Sequence, residues 1–313
     1  MSAFREKLYK AKNEKNGLQR WFARRYLFKL GERLGFHILG DHFYEPIPNL
    51  EDIRKNYEDA PREIPGHPLS IDTFEDAHSA RLRKYGPEFL EAVKSTGFEP
   101  DNYYFRGADA ISLYCLLREL KPNSVVEVGQ GMSTRVALAA LERNAQETGA
   151  RPRFVSIDPY ARLQGKDLKA NLVEFEVIQR PLQQVSTTKI LQSLEGKALL
   201  FVDSSHVYKY GSDVWHLTHK IYPFLPAGCL LHVHDIVLPF PWLKEFYLDQ
   251  KWFWNEQEML ESFLTFNQEF EIVLPVHWLH QTSAKIQTTM AETFRDLAAR
   301  DLGYSFYLRR KSA

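Results

Sequence analysis

The sequence predicts an α/β protein built on a doubly wound, mostly parallel β-sheet. Two observations predict this fold class. Short apolar runs alternate with helix-forming stretches from residue 107 to the end of the chain. One of these runs, Ser124–Val128, leads into a glycine turn and then a helix, as in the first half of a nucleotide-binding βαβ unit. Ligands of such sheets bind beyond the carboxyl ends of the strands, so we expect the functional site there.

The composition fits a globular protein with a large core. The chain has 313 residues, 44% hydrophobic and 13% aromatic, and a formal net charge of zero. Without an overall basic excess, we expect no nucleic-acid partner. No apolar run approaches the ~20 residues of a membrane helix, and the start of the chain lacks the apolar core of a signal peptide. With two cysteines in apolar runs, expected to be buried and reduced, this predicts a cytoplasmic protein.

The first 100 residues are predicted to form a helical extension or cap, and residues 101–313 a cofactor-binding domain. Residues 1–36 are basic, with ten Lys or Arg residues and three Glu residues. Within them, residues 21–30 have the pattern of an amphipathic helix. Such a helix either packs on the core with a solvated basic face or binds a membrane surface or partner, and its many aromatic residues favour packing on the core. Four prolines predict breaks between the helices that follow: Pro61, Pro65, Pro68 and Pro87.

The sheet is expected to contain seven strands. A helix over residues 107–120 precedes the first strand, and helical patterns fill most of the gaps between the others. The predicted strands are Ser124–Val128, Phe154–Ile157, Phe175–Ile178, Ala198–Val202, Cys229–Val233, Glu271–Leu274 and Ser305–Leu308.

The glycine turn indicates what the sheet binds. Gly129 permits a backbone angle that a side chain forbids, and Gly131 allows a ligand to approach the main chain. With Ser133 and Thr134, the exposed N–H groups at the start of the helix can hold an anionic group. A dinucleotide fingerprint requires a third glycine where this chain has Thr134. The carboxylate of Glu127 would repel a pyrophosphate. It would attract a ligand with an ammonium and a sulfonium group, as in S-adenosylmethionine.

Asp158 follows the second strand, 27 residues after Gly131. A carboxylate at this position can accept hydrogen bonds from both hydroxyls of a ribose. NAD and S-adenosylmethionine both carry that ribose, so Asp158 predicts nucleoside binding without choosing between them. The alternative is a carboxylate that caps the turn at Pro159.

Candidate catalytic residues follow the fourth and fifth strands. Asp203 and His206 lie in a polar loop, and His234 and Asp235 end the next strand. A histidine can take the proton of a hydroxyl acceptor near neutral pH. The alternatives for Asp203, His234 and Asp235 are a Mg²⁺ or Mn²⁺ site and a metal-free base. His232, in the middle of its strand, is expected to be structural.

Two aromatic loops flank the fifth strand. They span Pro239–Trp242 and Trp252–Gln257. Flat rings stack on sugars and other rings, so these loops either line the acceptor pocket or pack on themselves as a lid. Asn255 and Glu256 are the polar candidates within them.

These motifs resemble the class I S-adenosylmethionine-dependent methyltransferases over residues 100–313, and in particular a bacterial branch that modifies small molecules and saccharides. The matching segments are Glu127–Thr134, Asp203–His206, Gly211–Val214, His234–Pro239 and Trp254–Gln257, with Tyr44–Pro48 as a further similarity. The resemblance implies a Rossmann-like methyltransferase fold whose last strand is antiparallel. It implies cofactor contacts at Glu127, Gly129, Gly131 and Asp158, and acceptor chemistry around His206, His234 and Asp235. Metal-dependent relatives usually end the fifth strand in Asp-Asn or Asp-Asp, where this chain has His-Asp.

The resulting hypothesis is an enzyme that methylates a small-molecule or saccharide hydroxyl with S-adenosylmethionine. The first rival is a nicotinamide-dependent oxidoreductase on the same kind of sheet, which Glu127 and Thr134 disfavour. The second is a non-catalytic cofactor-binding module, which the polar residues at the strand ends disfavour. The sequence names neither the acceptor nor the oligomeric state.

Overall fold

Seven strands form one sheet in the order β3-β2-β1-β4-β5-β7-β6. The computed structural model describes residues 17–39, 45–100, 102–105, 107–163, 171–294 and 301–312. The strands are β1 (Ser124–Val128), β2 (Arg153–Ile157), β3 (Glu174–Ile178), β4 (Ala198–Val202), β5 (Leu230–Val233), β6 (Phe270–Pro275) and β7 (Phe306–Arg310). β1 to β5 pair in parallel, and β7 lies antiparallel between β5 and β6. This confirms the predicted doubly wound, mostly parallel seven-stranded sheet.

The α-helices are α1 (Gly17–Phe22), α2 (Phe28–Leu34), α3 (Leu50–Asn56), α4 (Ile71–Lys94), α5 (Gly107–Leu120), α6 (Met132–Thr148), α7 (Thr187–Ser193), α8 (Asp213–His216), α9 (Glu256–Leu264), α10 (Val276–Thr282) and α11 (Ala284–Thr293). Short π-helical segments occupy Ala23–Leu27, Leu217–Ile221 and Phe246–Gln250, and 3₁₀ turns occupy Leu182–Gln184 and Tyr222–Phe224. None of the helices in these described ranges is both long and apolar enough to cross a membrane.

The register of the parallel strands positions the site. Val128 of β1 is level with Ile157 of β2 and with Val202 of β4, and Val202 is level with Val233 of β5. The residues that follow these four positions therefore leave the sheet together at one edge: Gly129, Asp158, Asp203 and His234. Because the strands are short, apolar and buried, a shift in register would expose core side chains, which fixes this alignment.

Two apolar clusters form the core, one on each face of the sheet. One joins α4, α5 and α6 to the sheet through residues such as Phe89, Ile111 and Leu138. The other joins residues such as Ile190 and Leu260 to the opposite face. This two-sided burial explains why the central strands are mostly apolar on both faces.

Pro87 does not break a helix, contrary to the sequence prediction. It lies inside α4, which is continuous over 24 residues. The buried residues of α4, among them Leu82, Phe89 and Val93, pack against the core on both sides of the proline. We attribute the continuity to this tertiary packing, which offsets the missing backbone N–H.

The chain divides into two compact units, one of residues 1–58 with 243–253 and one of residues 59–242 with 254–313. The second unit contains α4 and the whole sheet. In the first unit the Lys244 ammonium lies over the ring of Tyr57, 5.1 Å from its centroid. The predicted division into a helical extension of residues 1–100 and a cofactor-binding domain of residues 101–313 stays a prediction. Tyr44, part of the predicted connector, lies outside the described residues.

Candidate active site

The turn after β1 is shaped by a close approach to the end of β4. Gly129 has φ +93°, and a Cβ atom there would lie 1.7 Å from the carbonyl oxygen of Asp203. Only glycine fits this contact in this conformation. A Cβ on Gly131 would meet nothing within 4 Å, so the main chain at Gly131 borders open space. The first glycine therefore joins two strand ends, and the second leaves room beside the turn.

Glu127 lies beneath this turn and is almost completely buried, with 1% of its surface exposed. Its carboxylate accepts hydrogen bonds of 2.8 Å from the hydroxyls of Ser133, Thr134 and Ser156. Burial raises the pKa of Glu127 to about 7, although the three hydroxyl donors lower it in part. The Thr134 hydroxyl in turn accepts a hydrogen bond from the N–H of Gly131. Glu127 therefore holds both the turn and the start of α6.

Asp158 lies at the end of β2 and is fixed by main-chain donors. Its oxygens accept hydrogen bonds from the N–H groups of Gln130, at 2.8 Å, and Tyr160, at 2.6 Å. These bonds tie the ends of β1 and β2 together and leave further lone pairs on the carboxylate. Asp158 is half-buried and faces a cleft.

The cleft has a volume of about 570 Å³, within the range of small-molecule sites. The turn after β1, the end of β2, the segment after β3 and the loop after β4 all line it. Representative lining residues are Gly129, Asp158, Leu182, Asp203 and Tyr210.

His206 lies beside the cleft among three carboxylates. Its Nδ1 is 3.0 Å from Glu256, and its Nε2 lies 3.4 Å from Asp203 and 3.3 Å from Asp235. Burial lowers the pKa of His206, but these carboxylates outweigh burial and raise the pKa to about 10. The ring of Trp254 covers the imidazole at a centroid distance of 4.3 Å. These carboxylates therefore favour the imidazolium form of His206 and hold its ring in one orientation.

His234 occupies a second carboxylate cluster at the end of β5. Its Nε2 lies 3.4 Å from Asp109, and its Nδ1 lies 3.5 Å from Asp203 and 3.7 Å from Asp235. Burial lowers the pKa of His234, but the charges of Asp235 and Asp203 outweigh burial and raise the pKa. Asp109 also accepts a hydrogen bond from the N–H of Tyr304, which links α5 to the segment before β7. His234 therefore shares two of the three carboxylate neighbours of His206, Asp203 and Asp235.

The two shared carboxylates have opposite pKa shifts. Burial alone would raise the pKa of Asp203, but His234 and His206 outweigh burial and hold it well below its usual range. Burial raises the pKa of Asp235, and the nearby charge of Asp203 adds to the effect. Four carboxyl groups, those of Asp109, Asp203, Asp235 and Glu256, surround the two imidazoles, so acidic groups outnumber basic groups in the cluster. The edge of the sheet therefore suits a cationic ligand.

A possible cation site lies within this cluster. Asp203, His206 and Asp235 each offer one ligand atom, and these atoms lie within 4.8 Å of one another. Two ligands ~2.3 Å from an ion and at right angles to each other lie ~3.3 Å apart, which matches the contacts of His206. A carboxylate on the other ring nitrogen, as Glu256 provides, is typical of metal-ligating histidines. The sequence predicted His234 in this set, whereas the grouping contains His206.

Asp235 lies beside His234 and not on the opposite face of the strand. Continued strand periodicity would place the two side chains on opposite faces, but β5 ends at Val233 and Asp235 has φ +56°. This left-handed conformation, two residues past the strand, returns the carboxylate to the cluster.

His232 has the structural role expected of it. Its Nε2 is 2.8 Å from the Ser305 hydroxyl, and its ring stacks on Tyr307 at 4.0 Å. Burial lowers the pKa of His232 well below its ordinary value. The neutral imidazole is therefore part of the core.

The aromatic loops around β5 have different environments. In the sheet-containing unit, Trp242 lies 5.7 Å from Trp254, which in turn covers His206. In the other unit, Trp252 stacks on Phe246 at 5.1 Å. Of these loop residues, Trp254 contacts the candidate site.

Sequence analysis missed two residues of the site. Asp109 lies in the first turn of a predicted helix, and the local sequence does not indicate that it reaches His234. Glu256 was noted only as a polar member of an aromatic loop, yet it orients His206. The available signal for Asp109 is a carboxylate among the apolar residues at the start of α5.

Comparison with known proteins gives one match to a family model. Residues 126–236 match a family described as a methyltransferase domain. An uncharacterised protein of Archaeoglobus fulgidus is 26% identical over 156 residues, which cover 46% of this chain and 68% of that protein.

Similar solved structures include two methyltransferases. One is a putative methyltransferase from Thermobifida fusca, with a TM-score of 0.39 and 16% identity, covering 78% of this chain and 87% of that chain. Another is the SAH-bound methyltransferase PaMTH1 of Podospora anserina, with a TM-score of 0.38 and 17% identity, covering 78% of this chain and 98% of that chain.

Proposed function

We propose that this chain, whose residues 126–236 match a methyltransferase domain, transfers the methyl group of S-adenosylmethionine to the oxygen of a small-molecule or saccharide hydroxyl. The observation that supports this most strongly is the carboxylate-rich cluster around His206 beside the cleft at the strand ends. An excess of acidic groups next to a nucleoside-sized cleft suits a cationic sulfonium donor.

We assign the cofactor to the cleft between the glycine turn and the end of β2. Asp158 would accept hydrogen bonds from the two ribose hydroxyls, because it borders the cleft and its main-chain donors fix its orientation. The apolar side chains of Ile157 and Leu182 would contact the adenine. The methionine part would then extend past the open main chain at Gly131.

Glu127 would act on the cofactor from beneath the turn. Its carboxylate is buried and already accepts hydrogen bonds from Ser133 and Thr134, so we assign it an electrostatic effect on the methionine ammonium and not a direct contact. Ser133 and Thr134 would hold the turn open, and Gly129 and Gly131 would supply the main-chain cradle.

Methyl transfer forms a bond between the acceptor oxygen and the methyl carbon while the bond between carbon and sulfur breaks. The acceptor proton must go to a base. His206 and His234 hold protons when all their carboxylate neighbours are ionised, because these neighbours raise both pKa values. In that state Asp235 accepts the proton, and the two imidazolium ions hold its carboxylate in place.

The cluster also fits a divalent cation. Asp203, His206 and Asp235 would hold it, with Glu256 orienting His206 from the far side of the ring. A bound Mg²⁺ or Mn²⁺ acidifies a coordinated hydroxyl. The charge of His206 would then be replaced by that of the cation, and Nε2 would carry no proton.

Calorimetric titration with S-adenosylmethionine, with NAD⁺ as the rival ligand, tests the cofactor assignment. We expect binding of S-adenosylmethionine alone and its loss in Asp158→Ala. Asp213→Ala is the matched control, because Asp213 lines the same cleft but caps the turn at Ser205. Binding of NAD⁺ in place of S-adenosylmethionine would contradict the proposal.

Turnover is tested with cofactor that carries a labelled methyl group. A panel of saccharide and phenolic hydroxyl acceptors would be assayed with and without a chelator. We expect label in an ether product and loss of turnover in Asp235→Asn with cofactor affinity unchanged. Loss of turnover on chelation, restored by Mg²⁺ or Mn²⁺, would support the cation site. Label transferred only to nitrogen or carbon would overturn O-methylation.

A further inference from the structure

The helical segment at residues 17–34 exposes an apolar ridge, as the less favoured of the two sequence interpretations would require. Phe22, Tyr26, Leu30 and Leu34 recur every four residues and are 50%, 54%, 53% and 60% exposed. Residues four apart lie side by side on a helix, so these side chains form one continuous row. We define Phe22, Tyr26, Leu30 and Leu34 as the apolar ridge. The aromatic residues of this helix favoured the interpretation that it packs on the core. For the two aromatic residues of the ridge, Phe22 and Tyr26, that prediction is wrong.

Two small residues beside the ridge are buried. They are Ala23 and Gly31, and a Cβ atom on Gly31 would collide with the carbonyl oxygen of Phe36. The exposed apolar surface continues beyond the helix at Phe36 and Ile38, which are 49% and 50% exposed. The exposed apolar side chains of this segment are therefore contiguous, which is more than scattered exposed residues would give.

Basic residues lie next to the ridge. Arg25 and Arg33 each precede a ridge residue by one position and are exposed. Residues 17–39 contain five Lys or Arg residues and one Glu residue. Arg24 is partly neutralised by a 2.8 Å ion pair with Glu45. An apolar row beside a positive row is the pattern of a helix that lies flat in the interface of a negatively charged bilayer.

We propose that the apolar ridge and its neighbouring arginines bind the surface of an anionic lipid bilayer. The ridge enters the boundary between head groups and acyl chains, and Arg25 and Arg33 contact the lipid phosphates. A bilayer is favoured over a second copy of the chain because two copies would bring two positively charged rows together. The proposal is independent of methyl transfer and is tested without cofactor or acceptor.

Vesicle co-sedimentation with the full chain tests this proposal. The vesicles are phosphatidylcholine alone, or phosphatidylcholine with about a quarter phosphatidylglycerol. We expect binding to the anionic vesicles only, and weaker binding as the salt concentration rises from about 0.1 M to about 0.5 M.

Two pairs of variants identify the contacts. Leu30→Ser and Leu34→Ser should each weaken vesicle binding by roughly tenfold or more. Leu90→Ser, at an exposed leucine of α4, is the matched control and should have no effect. Arg25→Gln and Arg33→Gln should each weaken binding by roughly fivefold and reduce its salt dependence. Arg151→Gln is the control for these two.

The proposal fails if the folded wild-type chain does not sediment with anionic vesicles, or if the leucine variants bind as well as the wild type. Thermal unfolding of each variant verifies folding, and Leu34→Ser replaces Leu30→Ser if the latter does not fold. Sedimentation velocity in the absence of lipid tests the alternative occupant. A dimer that Leu30→Ser dissociates, together with no vesicle binding, would assign the ridge to a second copy and overturn the proposal.

Discussion

Two groups of histidines in this protein are equally buried but differ in charge. His206 and His234 lie at the strand ends, and His232 and His280 lie in the core, all with 6% or less of their surface exposed. The pKa values of the first pair are raised and those of the second pair are lowered.

The neighbours explain the difference. Burial lowers the pKa of all four imidazoles, since it disfavours the charged form. Only His206 and His234 have carboxylates close enough to outweigh burial. His280 contacts another imidazole, His78, at 3.1 Å. Burial alone therefore does not distinguish the histidines at the strand ends from those in the core. The presence or absence of carboxylate neighbours does.

Replacing a histidine of the first group should have the largest effect. We expect His206→Asn to reduce kcat by about 10²- to 10⁴-fold, because it removes the imidazole that holds Asp203 and Asp235. Asparagine tolerates the left-handed backbone at this position, φ +57°. Cofactor affinity should not change.

The matched control for that substitution is His232→Phe in the second group. It keeps the ring stacked on Tyr307 but leaves the Ser305 hydroxyl unpaired, so we expect a loss of about 1–2 kcal/mol in stability and nearly unchanged kcat. Equal kcat losses in both variants would mean that the two groups are not functionally distinct.

Acidification should lower the free energy of unfolding through the core histidines, of which His280 is the example. The pKa of His280 is about 4 in the folded chain, from an ordinary value of 6.5, because burial disfavours the imidazolium. Its contribution to stability is therefore complete above pH ~6.5 and is lost as pH falls toward ~4, in total about 3 kcal/mol. His280→Gln should flatten this part of the curve of unfolding free energy against pH, measured by urea titration. An unchanged slope would contradict the assignment of the neutral form.

Glu127 extends the comparison to a buried carboxyl group without a basic partner. Its pKa is about 7 in the fold against an ordinary 4.5, so the neutral form is favoured. The contribution of the protonated Glu127 carboxyl group to stability is complete below pH ~4.5 and is lost as pH rises through ~7. Glu127→Gln should therefore match the wild type near pH ~4 and exceed it in stability by about 1–3 kcal/mol near pH ~8. Cofactor affinity should fall. Glu174→Gln, on the exposed part of β3, is the control.

An exposed histidine should show the smallest effect. His219 is exposed and lies 2.7 Å from the hydroxyl of Tyr208. We expect His219→Ala to change the unfolding free energy by less than about 0.5 kcal/mol and to leave kcat unchanged. A loss of turnover in this variant would show that the aromatic surface near the cleft takes part in acceptor binding.

The strands were predictable because their local signals agree with their burial. β1 and β4 begin and end where the apolar runs do, and the other strands differ by one or two residues at an end. The predicted helix break at Pro87 was wrong because the helix-breaking tendency of proline is a local effect, and tertiary packing holds this helix together. The apolar ridge was misread for a related reason, since a pattern of apolar residues does not state which of them are covered.

The sequence by itself determined the sheet, the glycine turn and the polar residues at the carboxyl ends of the strands. Their spacing is local, and parallel register brings neighbouring strand ends together. Tertiary structure alone decided which partners complete the site. His206 meets Glu256 across 50 residues, and His234 meets Asp109 across 125 residues. Such contacts depend on how helices close over the sheet, and those contacts set the charge of each buried histidine.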